Sequence, residues 1–331
     1  MVFHNNEIEI GCVMRDNKLI KAGVIGVGYL GNHHARIYNE TRGIKLIGVS
    51  DIDISVGMEI ANKFGVSFFK SPAGLLKEID AVSIAAPTTT HYRLAKEALL
   101  SGVHTLVEKP ITEKPEEAEE LIDLSKENSL VLQVGHIERF NPAIIAVSNL
   151  VKEPMFIETQ RIATYNERGT DVAVVLDLMV HDIDIVLAFL QSNVKKIEAI
   201  GIPILSEEYD IANARVEFEN GAIANLTTSR VSYKKERKIR FFQKNMYISV
   251  DYLSHQADVW KKIEINGKPY VKKEEVRIIP KEPLRAEIES FVRCVRSGDS
   301  PVVNGEDGKK AIQLAYRIIE SMDKHRRIVG I

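Results

Sequence analysis

Three residues in this chain are placed to move or steady a proton on a bound substrate. They are Lys109, in Glu108-Lys109-Pro110, and Asp177 with His181, in Asp177-Leu-Met-Val-His181-Asp182-Ile-Asp184. An imidazole titrates near neutral pH and works as a general acid or base when a carboxylate orients it. A lysine held partly out of water beside a cation becomes less basic and can share in proton transfer. The bland reading of Lys109 is an exposed turn lysine. On a helix, Asp177, His181 and Asp184 stand at i, i+4 and i+7, on one face. Leu178, Val180, Ile183, Ile185, Val186 and Leu187 leave little of that helix for water, so its polar groups need partners or a cavity. Three readings stand for His181: a core histidine satisfied by Asp177 or Asp184, a general base, or a metal ligand. No further ligand set accompanies the Asp–His pair, and no metal is expected.

A second constellation can hold phosphate. Gly26-Val27-Gly28-Tyr29-Leu30-Gly31 follows an apolar run and opens a helical pattern. In such a loop the first glycine permits the tight turn. The second lets backbone N–H groups approach a pyrophosphate, and the third allows close helix–strand packing, with the positive helix end facing the phosphates. Asp51 ends the next apolar run, 20 positions after Gly31, where a carboxylate accepts hydrogen bonds from a ribose. A 2′-phosphate there would meet like charge, and Ile52 brings no cation, so Asp51 points to NAD rather than NADP. Asp53 is the competing carboxylate, further into the turn. The alternative is a glycine-rich turn in a flavodoxin-like fold with no cofactor. Pro87-Thr88-Thr89-Thr90-His91 follows another apolar run; Thr88 and Thr89 read as helix caps, as cofactor contacts, or as both.

The elements that must position these residues follow from hydrophobic patterning. Continuous apolar runs at 19–25, 45–50, 80–86, 103–107 and 130–134 alternate with helical patterns at 33–40, 56–64, 91–101 and 115–127. That alternation predicts a parallel sheet covered on both faces. Past Asn141-Pro142 the pattern changes. Helices are predicted at 143–151 and 175–190, then strands at 198–204, 212–219, 222–229, 237–242 and 246–250, with Asn220-Gly221 as a hairpin signal. Helices at 284–296 and 307–324 close the chain. The fold class is an α/β N-terminal Rossmann domain (19–142) plus an α+β domain (143–331) with an open, mostly antiparallel sheet. Residues 1–18 form an N-terminal extension.

The whole-chain numbers narrow the function classes. A length of 331 residues fits two domains, and 45% hydrophobic with 27% charged residues is ordinary for a soluble globular protein. A formal net charge of −2 points to no nucleic acid and no acidic membrane. The basic stretch Lys234, Lys235, Arg237, Lys238, Arg240 reads as a solvated strand end in preference to a phosphate site. The two cysteines, Cys12 and Cys294, make no disulfide framework and suit a reduced cytoplasm. No stretch approaches the apolar length of a membrane helix, and the polar N-terminus lacks a signal-peptide core.

Gly26-x-Gly28-x-x-Gly31, Pro87 with His91, Glu108-Lys109-Pro110 and Asp177-x-x-x-His181-x-x-Asp184 together resemble the glucose–fructose oxidoreductase, inositol dehydrogenase and MocA family of NAD(P)-dependent sugar oxidoreductases, over nearly the whole chain from Leu19. The resemblance implies a catalytic Lys109 that holds the reacting hydroxyl, His181 as its acid/base, and Asp177 as a nearby substrate carboxylate. It implies NAD contacts from Gly26, Gly28, Tyr29, Leu30, Gly31, Asp51, Pro87, Thr88, His91, Glu108 and Lys109. Many members carry a glycine where this chain has Met179, which bears on packing. Within the family, Gly135-His-Ile-Glu-Arg-Phe-Asn-Pro142 and the segment 175–184 are similar to bacterial enzymes that oxidise UDP-N-acetylglucosamine at C3 ahead of 3-amination in lipid A synthesis. That implies a nucleotide-sugar substrate, a sugar aminotransferase downstream, Glu138 and Asn141 shaping the pocket, and Arg139, Arg161 or Arg168 meeting the diphosphate. The alternatives are another sugar, UDP-sugar uronate or cyclitol dehydrogenase of this family, and a non-catalytic NAD-binding regulator. A biliverdin-type reductase would leave Asp177 and His181 unexplained. An uncovered apolar sheet face predicts a homodimer or homotetramer.

Overall fold

The structure, a computed structural model, describes residues 19–165 and 172–329. The N-terminal extension, Cys12 and Arg168 lie outside the described residues.

The first half of the chain lays down β1 (Ile20–Ile25), α1 (Tyr29–Glu40), β2 (Ile44–Ser50), α2 (Ile54–Phe64), β3 (Ser67–Phe69), α3 (Pro72–Leu76), β4 (Ala81–Ile84), α4 (Thr88–Leu100), β5 (His104–Glu108), α5 (Pro115–Glu127) and β6 (Leu132–Gly135). The strands pair in parallel in the order β3-β2-β1-β4-β5-β6. Every residue of β4 and β6 is buried, as a sheet covered on both faces requires. The order reverses direction between β1 and β4, so the loops after those strands and after β5 open at one carboxyl edge, where doubly wound sheets bind ligands. The short β3 and α3 escaped the sequence reading because three and five residues give no usable periodicity.

A 3₁₀ turn (Ile137–Phe140) and α6 (Pro142–Val147) precede β7 (Phe156–Ile162). A π-helical turn (Val175–Met179) then runs into α7 (Val180–Leu190). Next come β8 (Val194–Ile202), β9 (Ile211–Phe218), β10 (Ile223–Ser229), β11 (Glu236–Gln243), β12 (Met246–Asp251), β13 (Gln256–Ile265) and β14 (Lys268–Glu274), and the helices α8 (Pro283–Ser297) and α9 (Gly305–Val329). Eight strands form one open sheet, β14-β13-β12-β11-β7-β10-β9-β8, antiparallel except for the parallel pair β7/β10. Its inner face carries Ile157, Ala214, Val216, Ala224, Leu226, Ile239, Phe241 and Ile248, in one core with Val180, Ile183 and Val186 of α7. The Asn220-Gly221 turn joins β9 to β10 as expected, with Gly221 at φ +87°.

The described residues fall into two compact units, 19–137 with 282–309 and 138–281 with 310–329. The expected boundary at 142/143 therefore moves to 137/138, and residues 282–309 return to the nucleotide-type unit. The reason is α8, whose Leu284, Ile288, Phe291 and Val292 share a core with Ala22, Val24, Ala35 and Tyr38. An amphipathic pattern says that a helix buries a face, not which core receives it. No helix of the described residues is long and apolar enough to cross a membrane.

Candidate active site

The glycine loop has the geometry that a dinucleotide needs. Gly26 sits at φ +81°, and a Cβ there would come within 2.7 Å of the Ala86 nitrogen. A Cβ on Gly31 would stand 1.8 Å from the Gly26 carbonyl oxygen, so only glycine lets α1 pack this tightly on the loop. At Gly28 a Cβ would meet nothing within 4 Å. Gly28 is also the N-cap of α1, and among the described residues no side chain caps that end. The first-turn N–H groups thus face open space, which is the cradle a pyrophosphate fills. Asp51 Oδ2 accepts from the Val27 N–H (2.7 Å) and Oδ1 from the Asp53 N–H (2.9 Å). Its carboxylate ties the loop to the end of β2 and keeps further lone pairs for ribose hydroxyls. Asp53 instead caps α2 through Ser55 and Val56. The residues present fit NAD.

This arrangement sets an expected result. Asp51→Asn should raise the KM for NAD about tenfold and narrow the NAD/NADP preference by a similar factor, the scale of one charge-assisted hydrogen bond. Steady-state kinetics with both cofactors measures it, and an unchanged preference would remove Asp51 from the ribose site.

Along the same edge, two of the expected cofactor contacts have side chains engaged within the protein. His91 is buried, with Nδ1 2.8 Å from the Pro110 carbonyl oxygen and Nε2 2.8 Å from that of Ala86. Burial holds its pKa down against the pull of those carbonyls. The ring spans the loops after β4 and β5, with both nitrogens beside main-chain carbonyls. Glu108 turns inward as well. Its Oε1 meets Nε2 of the fully buried His34 (3.0 Å), and its Oε2 accepts from the Lys109 N–H (3.3 Å). A Cβ on Gly135 would strike this carboxylate at 2.8 Å, so the glycine makes its room. Glu108 thereby fixes the backbone that carries Lys109, whose side chain stays half-exposed. His34 was absent from the sequence reading. Its signal was available: Gly31, His34, Ala35 and Tyr38 form one helical stripe, and a polar group on a buried stripe needs a partner. Thr88 and Thr89 make no side-chain cap; the Thr90 hydroxyl donates to the Pro87 carbonyl at 2.8 Å instead.

In the second unit the π-helical turn carries Asp177 and leads straight into His181 at the start of α7. Such turns insert one residue into a helix and recur at functional sites. Asp177 and His181 remain half-exposed, while Asp182 and Asp184 beside them are sealed at 1% exposure each. Asp184 does not orient His181: its two oxygens take Nε (2.6 Å) and Nη2 (2.8 Å) of Arg139. Asp182 binds Arg161 in the same bidentate way, at 3.0 and 2.9 Å. Arg161 Nη1 adds Glu138 Oε1 at 3.1 Å, and its guanidinium lies 5.3 Å from the centre of the Tyr252 ring. Asn141 donates to Glu138 and to the Tyr252 carbonyl and caps α6 by accepting from the Ala143 N–H. Arg139, Arg161, Glu138 and Asn141, expected to touch substrate, are therefore buried, Arg139 paired with Asp184 and the other three joined in one network with Asp182. Three carboxylates so close together stay deep in protein only with guanidinium partners. Among the described residues no three potential ligands gather as a metal site.

A further clasp positions this helix. Asp210 accepts from the N–H groups of Ile204, Leu205 and Ser206 and from Arg230 Nε. Those donors hold its carboxyl well below the usual range. Arg230 also donates to the Val172 carbonyl (2.8 Å), just ahead of the π-helical turn.

Comparison with known proteins agrees with these two units. Residues 20–136 match a family described as "Oxidoreductase family, NAD-binding Rossmann fold", and residues 153–249 match the GFO/IDH/MocA C-terminal domain. The chain is 35% identical to a UDP-N-acetylglucosamine 3-dehydrogenase of Acidithiobacillus ferrooxidans, over 90% of this chain and 96% of that protein. A solved structure of that enzyme matches with a TM-score of 0.87 at 34% identity, covering 92% of this chain and 98% of the other. A myo-inositol 2-dehydrogenase of Thermotoga maritima is 24% identical over 93% of this chain and 98% of its own.

Proposed function

The chain belongs to the GFO/IDH/MocA family of NAD-binding oxidoreductases, and on that premise we propose that it oxidises the 3-hydroxyl of UDP-N-acetylglucosamine to the 3-keto sugar. The observation that carries the substrate is the 35% identity to an enzyme of that name, which runs along 96% of the relative. A 3-keto nucleotide sugar is the substrate form that an aminotransferase needs, so 3-amination ahead of lipid A assembly is the place assigned to the product.

His181 takes the hydroxyl proton as the carbon gives up its hydride. The Lys109 ammonium donates to the same oxygen and steadies its developing negative charge. Asp177 binds and orients the sugar. Bound NAD supplies the acceptor for the hydride. Asp51 and the open first turn of α1 would hold that cofactor by its ribose and pyrophosphate. The seal around Asp182 and Asp184 keeps competing carboxylates away from the proton that His181 handles. Self-association belongs to the same reading: Ile200 and Ile202 (40% exposed each) and Trp260 (38%) stand on the outward side of the open sheet, apolar surface that a second copy would cover.

The deciding experiment follows NADH absorbance with UDP-N-acetylglucosamine, UDP-N-acetylglucosaminuronate, myo-inositol and free N-acetylglucosamine. Turnover is expected with the first at a kcat/KM at least tenfold above the others. Silence with the first and turnover with the inositol or the uronate would transfer the chain to another substrate of the family.

A further inference from the structure

We infer that Arg237 is the residue that receives the anionic end of the substrate, a phosphate oxygen of the diphosphate. This deepens the nucleotide-sugar reading above and rests on it. The two arginines of the site helix's own network are sealed from an incoming ligand, since Arg139 and Arg161 are 2% and 1% exposed and their guanidiniums are paired with Asp184, Asp182 and Glu138. Arg237 differs from both. In the pairing of β11 with β7 it stands directly opposite Arg161. Directly opposed residues project to the same face of a sheet, and alternation puts Arg237 on the side of Ile239 and Phe241, both fully buried. Its backbone is pinned there, since the Tyr252 N–H donates to its carbonyl at 2.9 Å.

Arg237 is thus a half-buried cation on the inner face, set against a second cation. Opposed like charges destabilise a sheet, and a partly desolvated guanidinium is costly without an anion. Among the described residues no side chain forms an ion pair or hydrogen bond with it. Burial, and after it the charge of Arg161, disfavours its ionised form; Glu138, Asp182 and Asp177 act on it only across space. Glu138 and Asp182 are spent on Arg161, and Asp177 is the sugar carboxylate of the reading above. The group that completes Arg237 is therefore an incoming one. A planar guanidinium binds a phosphate in bidentate fashion, which suits a diphosphate held near the helix that bears His181. The exposed Lys234 and Lys235, just ahead of β11, add positive charge on the approach. The basic stretch that reads from sequence as a solvated strand end thereby divides: Lys234 and Lys235 are exposed, Arg237 is half-buried.

The test is Arg237→Met, with Arg237→Gln as a second variant where the first does not fold, compared with Arg237→Lys. Two readouts are needed: kinetics with UDP-N-acetylglucosamine, and binding of UDP alone to the enzyme by calorimetry. Loss of one charge-assisted, bidentate contact should raise the KM for UDP-N-acetylglucosamine and the Kd for UDP about tenfold to a hundredfold. The kcat should stay within about threefold and the KM for NAD should not move, and lysine should restore part of the loss. Unchanged KM and Kd would overturn the inference, as would a fall in kcat with KM intact, which would make Arg237 a positioning residue for Asp177. If the wild type binds UDP and Arg237→Met does not, while UDP-N-acetylglucosamine is not turned over, the substrate reading fails and the anion site stands. If the variant affects only a uronate substrate and leaves UDP binding intact, the diphosphate assignment is overturned in favour of a sugar carboxylate.

Discussion

His181→Ala should lower kcat by about 10²–10⁴, the range a positioned general acid–base contributes. Lys109→Ala should fall in the same range, because a donor aimed at a developing oxyanion is worth about 10²–10³. Neither change touches the glycine loop or Asp51, so NAD affinity should stay within about twofold for His181→Ala and fall only modestly for Lys109→Ala, which removes one expected cofactor contact. NADH absorbance at saturating sugar reads the first quantity, and cofactor fluorescence titration reads the second. Two carriers of one proton-transfer event act as a unit, so the double variant should cost about as much as the worse single one. Multiplicative losses would separate Lys109 from the step that His181 serves. A variant of either residue with wild-type turnover would end its assignment. Glu108→Gln supplies a useful contrast. Its carboxylate meets His34 and the Lys109 N–H rather than any outward group, so it should reduce kcat less than Lys109→Ala and act through the placement of that backbone.

What could be read from sequence follows what physics writes into local pattern. The longer parallel strands were plain because both faces of the sheet are covered and most of their positions are buried and apolar. β7 was invisible for the opposite reason: its inward residues are Ile157, Thr159 and Arg161, and the arginine belongs to that face only because Asp182 and Glu138 neutralise it. No hydropathy pattern records a partner that arrives from another element. The edge strand β14 and its neighbour β13 carry several lysines and bury little, so alternation gave no signal. The Asn266-Gly267 turn between them, with φ +51° and +75°, joins the hairpin by the same rule as Asn220-Gly221, but no apolar runs flank it to draw attention to the signal. At the site, the spacing of Asp177, His181 and Asp184 correctly located the helix. It could not distinguish an α turn from a π turn, nor an outward aspartate from one bound to Arg139. Positions of the polar residues were legible; their commitments to one another were not.

The buried network supplies the largest stability effect. Arg161→Met leaves Asp182 and Glu138 without their guanidinium, both under 10% exposed. Breaking one side of a buried ion pair costs about 3–5 kcal/mol, because the remaining charge is neither solvated nor compensated. For a domain of this size that corresponds to a fall in Tm of roughly 6–20 °C. Arg161→Met combined with Asp182→Leu removes the charge together with its principal partner, leaving Glu138 still accepting from Asn141. It should therefore melt above the single variant although it carries two changes. Thermal melts of the three proteins at one pH test the order. A single variant within about 2 °C of wild type, or a double variant below the single, would deny the network its structural role. The same proteins decide whether Arg161 also touches substrate. Its three polar contacts are all internal, so the folded single variant should keep its KM for UDP-N-acetylglucosamine within about threefold of wild type. A tenfold rise in KM without loss of stability would return Arg161 to the diphosphate and take that role from Arg237.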